Sequence, residues 1–308
     1  MKSSLTLILF SLMVFLVSCS TQEVKKTDSF FMNLELQTSN KNKEMIIENV
    51  LEQNIIFSID FNKEGSFRLD DNILDSSLKY FCNGFIQDQN IYLQSLVFDP
   101  SKIKDKKILI IFSESFEDYA NELKKIYPNE LYFYLDRNNY EDAIKDIFNV
   151  HDSIDKHLKI SKLDKNLKFD HSPRIRNDIS KIYFLLDYSF GKTVVPYVRN
   201  YAFKIDSYSS SEIFHEANSI KKLVDFENLY TPLSEELIEQ IKQKKNIKSI
   251  RNELEKLLIK DFLLIEKLYQ NNLFEKNISL NTSNQKIRNN NKCIDRSFEI
   301  YKISSNDF

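Results

Sequence analysis

The chain has 308 residues, 42% of them hydrophobic and 13% aromatic, which is enough for one large domain or two lobes and excludes disorder over its whole length. Its formal net charge of −2 at pH 7 gives no basic excess, so nucleic acid is not an expected partner. The three glycines are far fewer than the usual ~7% would give. With no GxGxxG or GxxxxGK pattern present, a phosphate-binding loop is not expected.

Residues 1–18 have the pattern of a signal peptide that ends in a lipobox. Lys2 precedes an apolar run over residues 5–17, and Leu16-Val17-Ser18-Cys19 completes the pattern. A transmembrane helix is the alternative, but the run is shorter than the roughly 20 apolar residues that span a bilayer, and no basic stop-transfer flank follows it. We therefore predict that cleavage exposes Cys19, which would carry several acyl chains and anchor the protein in a membrane.

The residue after Cys19 is Ser20 rather than an aspartate. In lipoproteins of enteric-type bacteria, an aspartate at this position retains the protein in the inner membrane. By resemblance, the predicted location is therefore the periplasmic face of the outer membrane. The polar residues 19–42 are predicted to form a lipidated tether.

The segment that follows the tether has short and mixed patterns. A short amphipathic helix is predicted over 44–53, and a strand over 54–61, where β-branched and aromatic residues are concentrated. Apolar residues then recur at intervals of three and four, which predicts a helix that stops near Gly84. These residues are Leu74, Leu78, Phe81 and Phe85.

From residue 106 onward, apolar strands alternate with amphipathic helices. The predicted strands are Lys107–Phe112, Leu131–Leu135, Ile182–Leu186 and Ala202–Ile205. Helices are predicted around Tyr119–Ile126, over Asn138–Phe148 and over Gly191–Tyr201, with helical periodicity also within 151–171. Parallel strands need crossovers of this length, and strands covered by helices on both faces are apolar throughout. The pattern therefore predicts an α/β fold with a parallel sheet.

The last part of the chain is predicted to contain two helices and a β-like end. Ser234 is the expected N-cap of a helix over Glu235–Ile241. An apolar stripe predicts a longer helix over Ile250–Leu273. The β-like segments that follow are 277–280, 286–288 and 297–303.

Cysteines and histidines offer few sites. Cys82 and Cys293 could form a disulfide in the oxidising periplasm, and the alternative is two unpaired, buried side chains. The histidines show no metal-ligand spacing, and no CxxC or HExxH pattern accompanies them, so no metal or other cofactor is expected.

Four acids near the ends of predicted strands are the best candidates for catalysis. They are Glu114, Asp118, Asp136 and Asp187, and α/β proteins place their sites at the carboxyl ends of parallel strands. The alternative is that they cap the helices that follow or face water. Because the alternative is the commoner role and no GxSxG nucleophile motif is present, the chain is not expected to be an enzyme.

Several short motifs, spread in order over residues 106–303, resemble a known family. Arg174-Ile175-Arg176-Asn177-Asp178-Ile179 precedes the predicted strand at 182–186. The further motifs are Val195-Pro196, Phe226–Leu233, Asp261-Phe262, Leu268, Phe274, Ile278-Ser279-Leu280 and Ile287-Arg288. Together with the lipobox, they resemble the LpoA family, also called LppC, of outer-membrane lipoproteins that activate penicillin-binding proteins.

The resemblance implies a two-lobed fold of the type I periplasmic-binding-protein class, with parallel sheets. Residues 43–105 would form part of the first lobe, 106–225 the second α/β lobe, and 226–308 the return to the first lobe with closing helices and a β-hairpin. Two departures from the family are expected: the helical N-terminal domain of longer members is absent, and the first lobe is shortened.

The resemblance also implies a function. We expect an outer-membrane lipoprotein that regulates peptidoglycan synthesis in the cell wall by binding and activating a penicillin-binding protein. The alternatives are a solute-binding lipoprotein that uses the cleft between lobes, and a structural envelope lipoprotein. Arg174 and Arg176 are candidates for contact with an anionic partner, and the alternative is that they pair with acids at the entrance of a strand.

Overall fold

A computed structural model describes residues 74–75, 78, 80–99, 106–163, 176–244, 247–270, 280–287 and 293–305. All of these residues belong to one compact unit. The predicted signal peptide, Cys19, the tether and the elements predicted over 44–61 lie outside the described residues and stay predictions.

A six-stranded sheet is the centre of this unit. The described strands are β1 (Lys107–Phe112), β2 (Leu131–Tyr134), β3 (Ile179–Leu185), β4 (Asp206–Tyr208), β5 (Leu229–Thr231), β6 (Asn284–Ile287), β7 (Ile294–Ser297) and β8 (Tyr301–Lys302). The sheet order is β2-β1-β3-β4-β5-β8, in which β8 is antiparallel to β5 and the other pairs are parallel. Strands β6 and β7 form a separate antiparallel hairpin. The predicted α/β fold with a mostly parallel sheet is therefore confirmed.

Helices cover both faces of this sheet. The described α-helices are α1 (Phe85–Val97), α2 (Glu117–Ile126), α3 (Tyr140–Ile147), α4 (Val150–Leu163), α5 (Tyr188–Ala202), α6 (Glu235–Lys242) and α7 (Ile250–Gln270). The crossover from β1 to β2 runs in the opposite direction to those from β2 to β3 and from β3 to β4. Right-handed crossovers in opposite directions place their helices on opposite faces, so α2 lies on one face and α3 and α5 on the other. Within the described residues, no helix is both long and apolar enough to cross a membrane.

Helix α1 packs beside α2 on the first face. Leu93 and Val97 lie in one buried cluster with Ile108 and Ile110 of β1. From β3, Lys181 donates from Nζ to the carbonyl oxygens of Leu96 and Val97, at 2.7 and 3.0 Å. A buried cation is favourable at the C-terminus of a helix, so this contact fixes the end of α1 against the sheet.

The prediction of a helix that stops near Gly84 is wrong. Gly84 is instead the N-cap of α1, which begins at Phe85. The four apolar residues that suggested the helix are all buried, so their spacing did report burial. However, Tyr80 has a positive φ of 80°, and Phe81 pairs with Ile294 in an isolated parallel β-bridge, so this segment is irregular.

The prediction of a strand over Ala202–Ile205 is also wrong. Helix α5 continues to Ala202, and Phe203 beyond it is 68% exposed. Strand β4 follows at Asp206–Tyr208, where only one of the three residues is buried. Strand β4 is short and begins with polar residues, so it has little apolar pattern to recognise. The apolar residues at the end of α5 gave the strand prediction instead.

The described sheet takes elements from both sides of the predicted domain boundaries. Helix α1 lies before residue 106 and packs on the sheet, while β5 and β8 lie after residue 225 and extend it. No second parallel sheet is present among the described residues. The division of the chain into two lobes, with a shortened first lobe, therefore stays a prediction.

A disulfide joins the segment before α1 to strand β7. The structure pairs Cys82 with Cys293, whose Cα atoms are 5.1 Å apart. Next to this bond, the backbone N–H of Cys82 donates to the Ile294 carbonyl at 3.0 Å. Arg296 is buried nearby and donates to Asp88 Oδ2 at 2.7 Å, with its guanidinium carbon 3.8 Å from the centre of the Phe81 ring. Covalent, backbone and charged contacts thus converge on one junction.

Removing the disulfide should lower the free energy of unfolding by about 3–5 kcal/mol. The two cysteines are separated by 211 positions in the sequence, and a cross-link that closes a long loop restricts the unfolded chain strongly. Equilibrium unfolding in urea should compare the wild type with Cys82→Ser/Cys293→Ser. Dithiothreitol should destabilise the wild type and leave the variant unchanged. Equal stability of the two proteins without reductant would contradict the prediction.

Candidate functional site

The carboxyl edge of the sheet is the natural place for a site in this fold. The crossover direction reverses between β1 and β3, and ligands of α/β proteins bind outside the strand ends at such a switch point. Ser113 follows β1 directly, while Asp136 and Asp187 follow β2 and β3 after one further residue. The structure therefore places two of the predicted candidates, Asp136 and Asp187, on the same edge.

An ion pair spans this edge. Arg137 Nη2 donates to Asp187 Oδ1 and Oδ2, at 2.9 and 2.8 Å, across the end of β1, since β1 lies between β2 and β3. Asp187 is also the N-cap of α5 and accepts from Ser189 Oγ at 2.7 Å and from the Phe190 backbone N–H at 3.1 Å. Burial raises the pKa of Asp187, but the hydrogen bonds from Ser189, Phe190 and Arg137 outweigh it, and the pKa is lowered overall. Asp187 is therefore a capping carboxylate that stays ionised at neutral pH.

The other three acids are placed in different ways. Asp136 Oδ1 accepts from the Asn138 backbone N–H at 3.1 Å and so closes a turn. Glu114 and Asp118 are exposed in the first turns of the helices that follow β1, where a negative charge is favourable. The geometry thus favours the alternative for Glu114 and Asp118, which face water at the starts of helices, while Asp136 closes a turn.

The arginine motif of the family resemblance has one member in the described residues. Arg176 donates from Nε and Nη2 to the two carboxylate oxygens of Asp178, both at 2.6 Å, and from Nη1 to the Ile147 carbonyl at 3.3 Å. The hydrogen bonds from Arg176 lower the pKa of Asp178. The Arg176 guanidinium therefore pairs with an acid at the entrance of β3, which is the alternative role given for this arginine in the sequence analysis. Arg174 lies outside the described residues.

A buried hydrogen-bond network ties the edge to α1. Gln89 Oε1 accepts from the backbone N–H and the hydroxyl of Ser211, at 3.0 and 2.9 Å, and Gln89 Nε2 donates to the Pro232 carbonyl at 3.0 Å. Ser209 Oγ donates to the Phe184 carbonyl at 2.9 Å. Side chains therefore join strand β3 and the loops after β4 and β5. The sequence analysis missed this network, because one glutamine and a run of serines carry no recognisable spacing.

Ser211 also contacts a histidine. Its Oγ lies 2.9 Å from His215 Nε2, a distance that a nucleophile and its base would have. Burial and the positive charge of Arg251 lower the pKa of His215 to about 3, so the imidazole is neutral at physiological pH. Ser211 has no exposed surface, and its hydroxyl is shared with Gln89. In this conformation the pair is a structural contact that a substrate does not reach.

Metal ligands are not grouped in this part of the chain. Among the residues that the structure describes, no cluster of three or more histidine, cysteine, aspartate or glutamate side chains could hold a metal ion.

Glu212 is a mostly buried carboxylate beside this network. Its Oε2 accepts a hydrogen bond from Ser210 Oγ at 3.1 Å. Burial raises the pKa of Glu212 to about 6, and the negative charge of Asp75 contributes to the increase, while Ser210 and Arg251 oppose it. Glu212 therefore changes its charge in the folded protein near pH 6.

We expect Glu212→Gln to remove a loss of stability between pH 4.5 and pH 7. The pKa of Glu212 is about 6 in the folded protein and 4.5 for an exposed glutamate. Ionisation of Glu212 therefore lowers the free energy of unfolding by about 2 kcal/mol. This loss is absent below pH 4.5 and complete above pH 6. Urea unfolding at several pH values should show the variant gaining about 2 kcal/mol over the wild type as the pH rises. Glu216→Gln removes an exposed carboxylate four residues away and is the control. A pH-independent difference for Glu212→Gln would contradict the prediction.

Comparisons with known proteins gave structural neighbours only. No protein-family model matches the chain, and no curated protein matches it. Full-length LpoA from Haemophilus influenzae is 9% identical with a TM-score of 0.43, and the match covers 86% of this chain and 45% of LpoA. The LpoA C-domain from the same organism is 9% identical with a TM-score of 0.41, covering 86% of this chain and 77% of the domain.

A third neighbour is the branched-chain amino acid transporter substrate binding protein LivJ from Streptococcus pneumoniae. It is 11% identical with a TM-score of 0.32, and the match covers 70% of this chain and 64% of LivJ. The neighbours thus include the family that the sequence motifs resemble, and this chain spans less than half of full-length LpoA. At these identities and TM-scores, the likeness establishes neither membership of the family nor a shared activity.

Proposed function

We propose that this protein is a lipid-anchored regulator of the cell envelope that stimulates peptidoglycan synthesis by binding a penicillin-binding protein. Two features of the sequence support the proposal: the lipobox that ends at Cys19, and the ordered motifs that resemble the LpoA family. The LpoA C-domain of Haemophilus influenzae is named as a regulator of PBP1A, which is the partner class that the sequence resemblance also implies.

The observation that carries the proposal is that polar side chains at the carboxyl edge are hydrogen-bonded to other groups of the protein. A solute receptor of this fold needs polar groups at the strand ends that are free to bind its ligand. Here Arg137 is paired with Asp187, and Gln89 is bonded to Ser211 and Pro232. Because these groups bond to one another, a function through an outer protein surface is favoured over recognition of a small solute at this edge.

The disulfide supports the proposed compartment. Disulfides persist in oxidising environments such as the bacterial periplasm and are rare in the cytosol. Cys82 and Cys293 are both partly accessible, so a cytosolic reductant could reach the bond. A chain that depends on this bond is suited to the periplasm, where the proposed partner works.

The full-length protein, solubilised in a non-ionic detergent and immobilised, should capture a penicillin-binding protein from solubilised envelopes of its own cell. Fluorescent penicillin labels this class of protein and would identify the captured species. Adding the purified protein to the captured synthase should then increase the rate of glycan polymerisation or crosslinking. If no penicillin-labelled protein is enriched over a blank resin, the proposed function is wrong.

Two adjacent substitutions test the anchor and its destination separately. Cys19→Ala should abolish incorporation of radioactive palmitate, because the acylated thiol is lost. Ser20→Asp should keep the label but move the protein from the outer-membrane to the inner-membrane fraction on a density gradient. Palmitate labelling of Cys19→Ala would contradict the anchor, and an unchanged fraction for Ser20→Asp would contradict the destination.

A further inference from the structure

The sequence contains one Asn-Gly pair, Asn83-Gly84, and it lies directly before the first turn of α1. A backbone nitrogen can attack the side-chain amide of the asparagine that precedes it. This reaction is fastest when the following residue is glycine, which has no side chain to hinder the approach. Asn83 is partly exposed, so water, the other reactant, reaches it. The pair therefore has the chemistry of a deamidation site.

The reaction needs no partner other than water. The Gly84 backbone nitrogen forms a bond to Cγ of Asn83 and loses its proton. The bond between Cγ and Nδ2 breaks, and the side-chain nitrogen leaves with that proton as ammonia. The product is a succinimide ring. Water then opens one of the two carbon–nitrogen bonds of the ring, and the residue becomes aspartate or isoaspartate.

The structure holds both parts of Asn83 that take part in this reaction. Asn83 Nδ2 donates to Asp88 Oδ1 at 2.8 Å, and Arg296 Nη1 donates to the Asn83 backbone carbonyl at 3.0 Å. Arg296 Nη1 also donates to Asp88 Oδ2 at 2.7 Å, so the two holding side chains bind each other. The side chains of Arg296 and Asp88 are 0% and 6% exposed. We refer to Asp88 and Arg296, with these bonds, as the Asn83 clamp.

The contacts of the clamp oppose ring closure. Nδ2 is the atom that leaves, so the reaction breaks its hydrogen bond to Asp88. The backbone carbonyl carbon becomes part of the ring, so the carbonyl that Arg296 holds must move. Both hydrogen bonds have a charged partner, and such bonds are stronger than those between neutral groups. The clamp therefore favours the unreacted asparagine.

We propose that Asn83 is a deamidation site that the clamp protects, and that it converts to aspartate or isoaspartate when the clamp opens. Neither product can restore the original contact, because an ionised carboxylate has no proton to donate to Asp88. Deamidation therefore leaves a permanent chemical record that the clamp has opened.

The disulfide beside Asn83 helps to keep the clamp closed. Cys82 directly precedes Asn83, and Cys293 lies on the same segment as Arg296, three residues before it. The cross-link thus ties the two sides of the clamp together. Folded proteins open locally with free energies that depend on such contacts. Loss of the cross-link should therefore make opening more frequent.

Peptide mass spectrometry of the full-length protein, incubated at neutral pH in non-ionic detergent, measures the reaction as a mass increase of one dalton at Asn83. In guanidinium chloride, where the clamp is unfolded, Asn83 should convert at least about tenfold faster than in the native protein, which is the factor expected for one lost hydrogen bond to a charged group. Asn83→Gln is the chemical control. Glutamine would have to close a larger ring, so this position should stay unconverted over the same period.

Two variants test the clamp in the native protein. Asp88→Asn weakens the bond to Nδ2 and removes the charge that Arg296 pairs with, so it should raise the native rate about tenfold. Cys82→Ser/Cys293→Ser keeps both clamp residues and should also raise the rate. Glu236→Gln is the matched control, because it removes an exposed carboxylate from the first turn of α6, as Asp88→Asn does from the first turn of α1. It should leave the rate unchanged.

Circular dichroism establishes that each variant is folded, and the cysteine variant keeps the test valid if Asp88→Asn is not. No conversion of Asn83 in guanidinium chloride would overturn the proposal, because the pair would then not be a deamidation site. Equal rates in the native and unfolded wild type would also overturn it, since the fold would then give no protection. A folded Asp88→Asn variant that converts as slowly as the wild type would overturn the role of the clamp.

Discussion

The fold depends on the burial of β1 between two parallel neighbours. Five of its six residues are buried, and its backbone pairs with β2 on one side and β3 on the other. A strand that is apolar on both faces requires cover on both faces, so helices α1 and α2 on one side and α3 and α5 on the other are necessary for the sheet to exist in water. The reversal of crossover direction beside β1 follows from the same requirement.

A buried parallel sheet creates a difficulty at its carboxyl edge, where polar backbone groups emerge close to the core. The chain resolves it with its own side chains. Asp187 caps α5 and pairs with Arg137, Ser209 donates to the Phe184 carbonyl, and Gln89 joins the loops after β4 and β5. Unsatisfied buried polar groups are costly, so these bonds stabilise the edge. The same bonds use the groups that a ligand at this edge would need.

The sequence predicted the regular half of the fold well because that half is local. Strand β1 and helices α2, α3 and α5 follow from apolar periodicity, and Ser234 caps α6 by accepting a hydrogen bond from the Leu237 backbone N–H, as expected. The predictions failed in segments whose structure is not set by local apolar periodicity. The segment before α1 is shaped by its bridge to Ile294, and β4 has too few apolar residues to be recognised. Residue types identified Asp187 as a candidate with helix capping as the commoner role, and the structure shows that it does cap α5.

The junction around Cys82 shows how one distant contact supports another. Burying Arg296 and Asp88 costs several kcal/mol for each ion, and their attraction repays this only when the geometry is held firmly. The disulfide and the Ile294 bridge hold β7 against the start of α1, so they hold this pair in place. Without the disulfide, the same charges would have to be kept together by non-covalent contacts alone. The disulfide and the bridge therefore support the buried pair together, and an oxidising compartment, such as the periplasm proposed for this protein, would preserve that support.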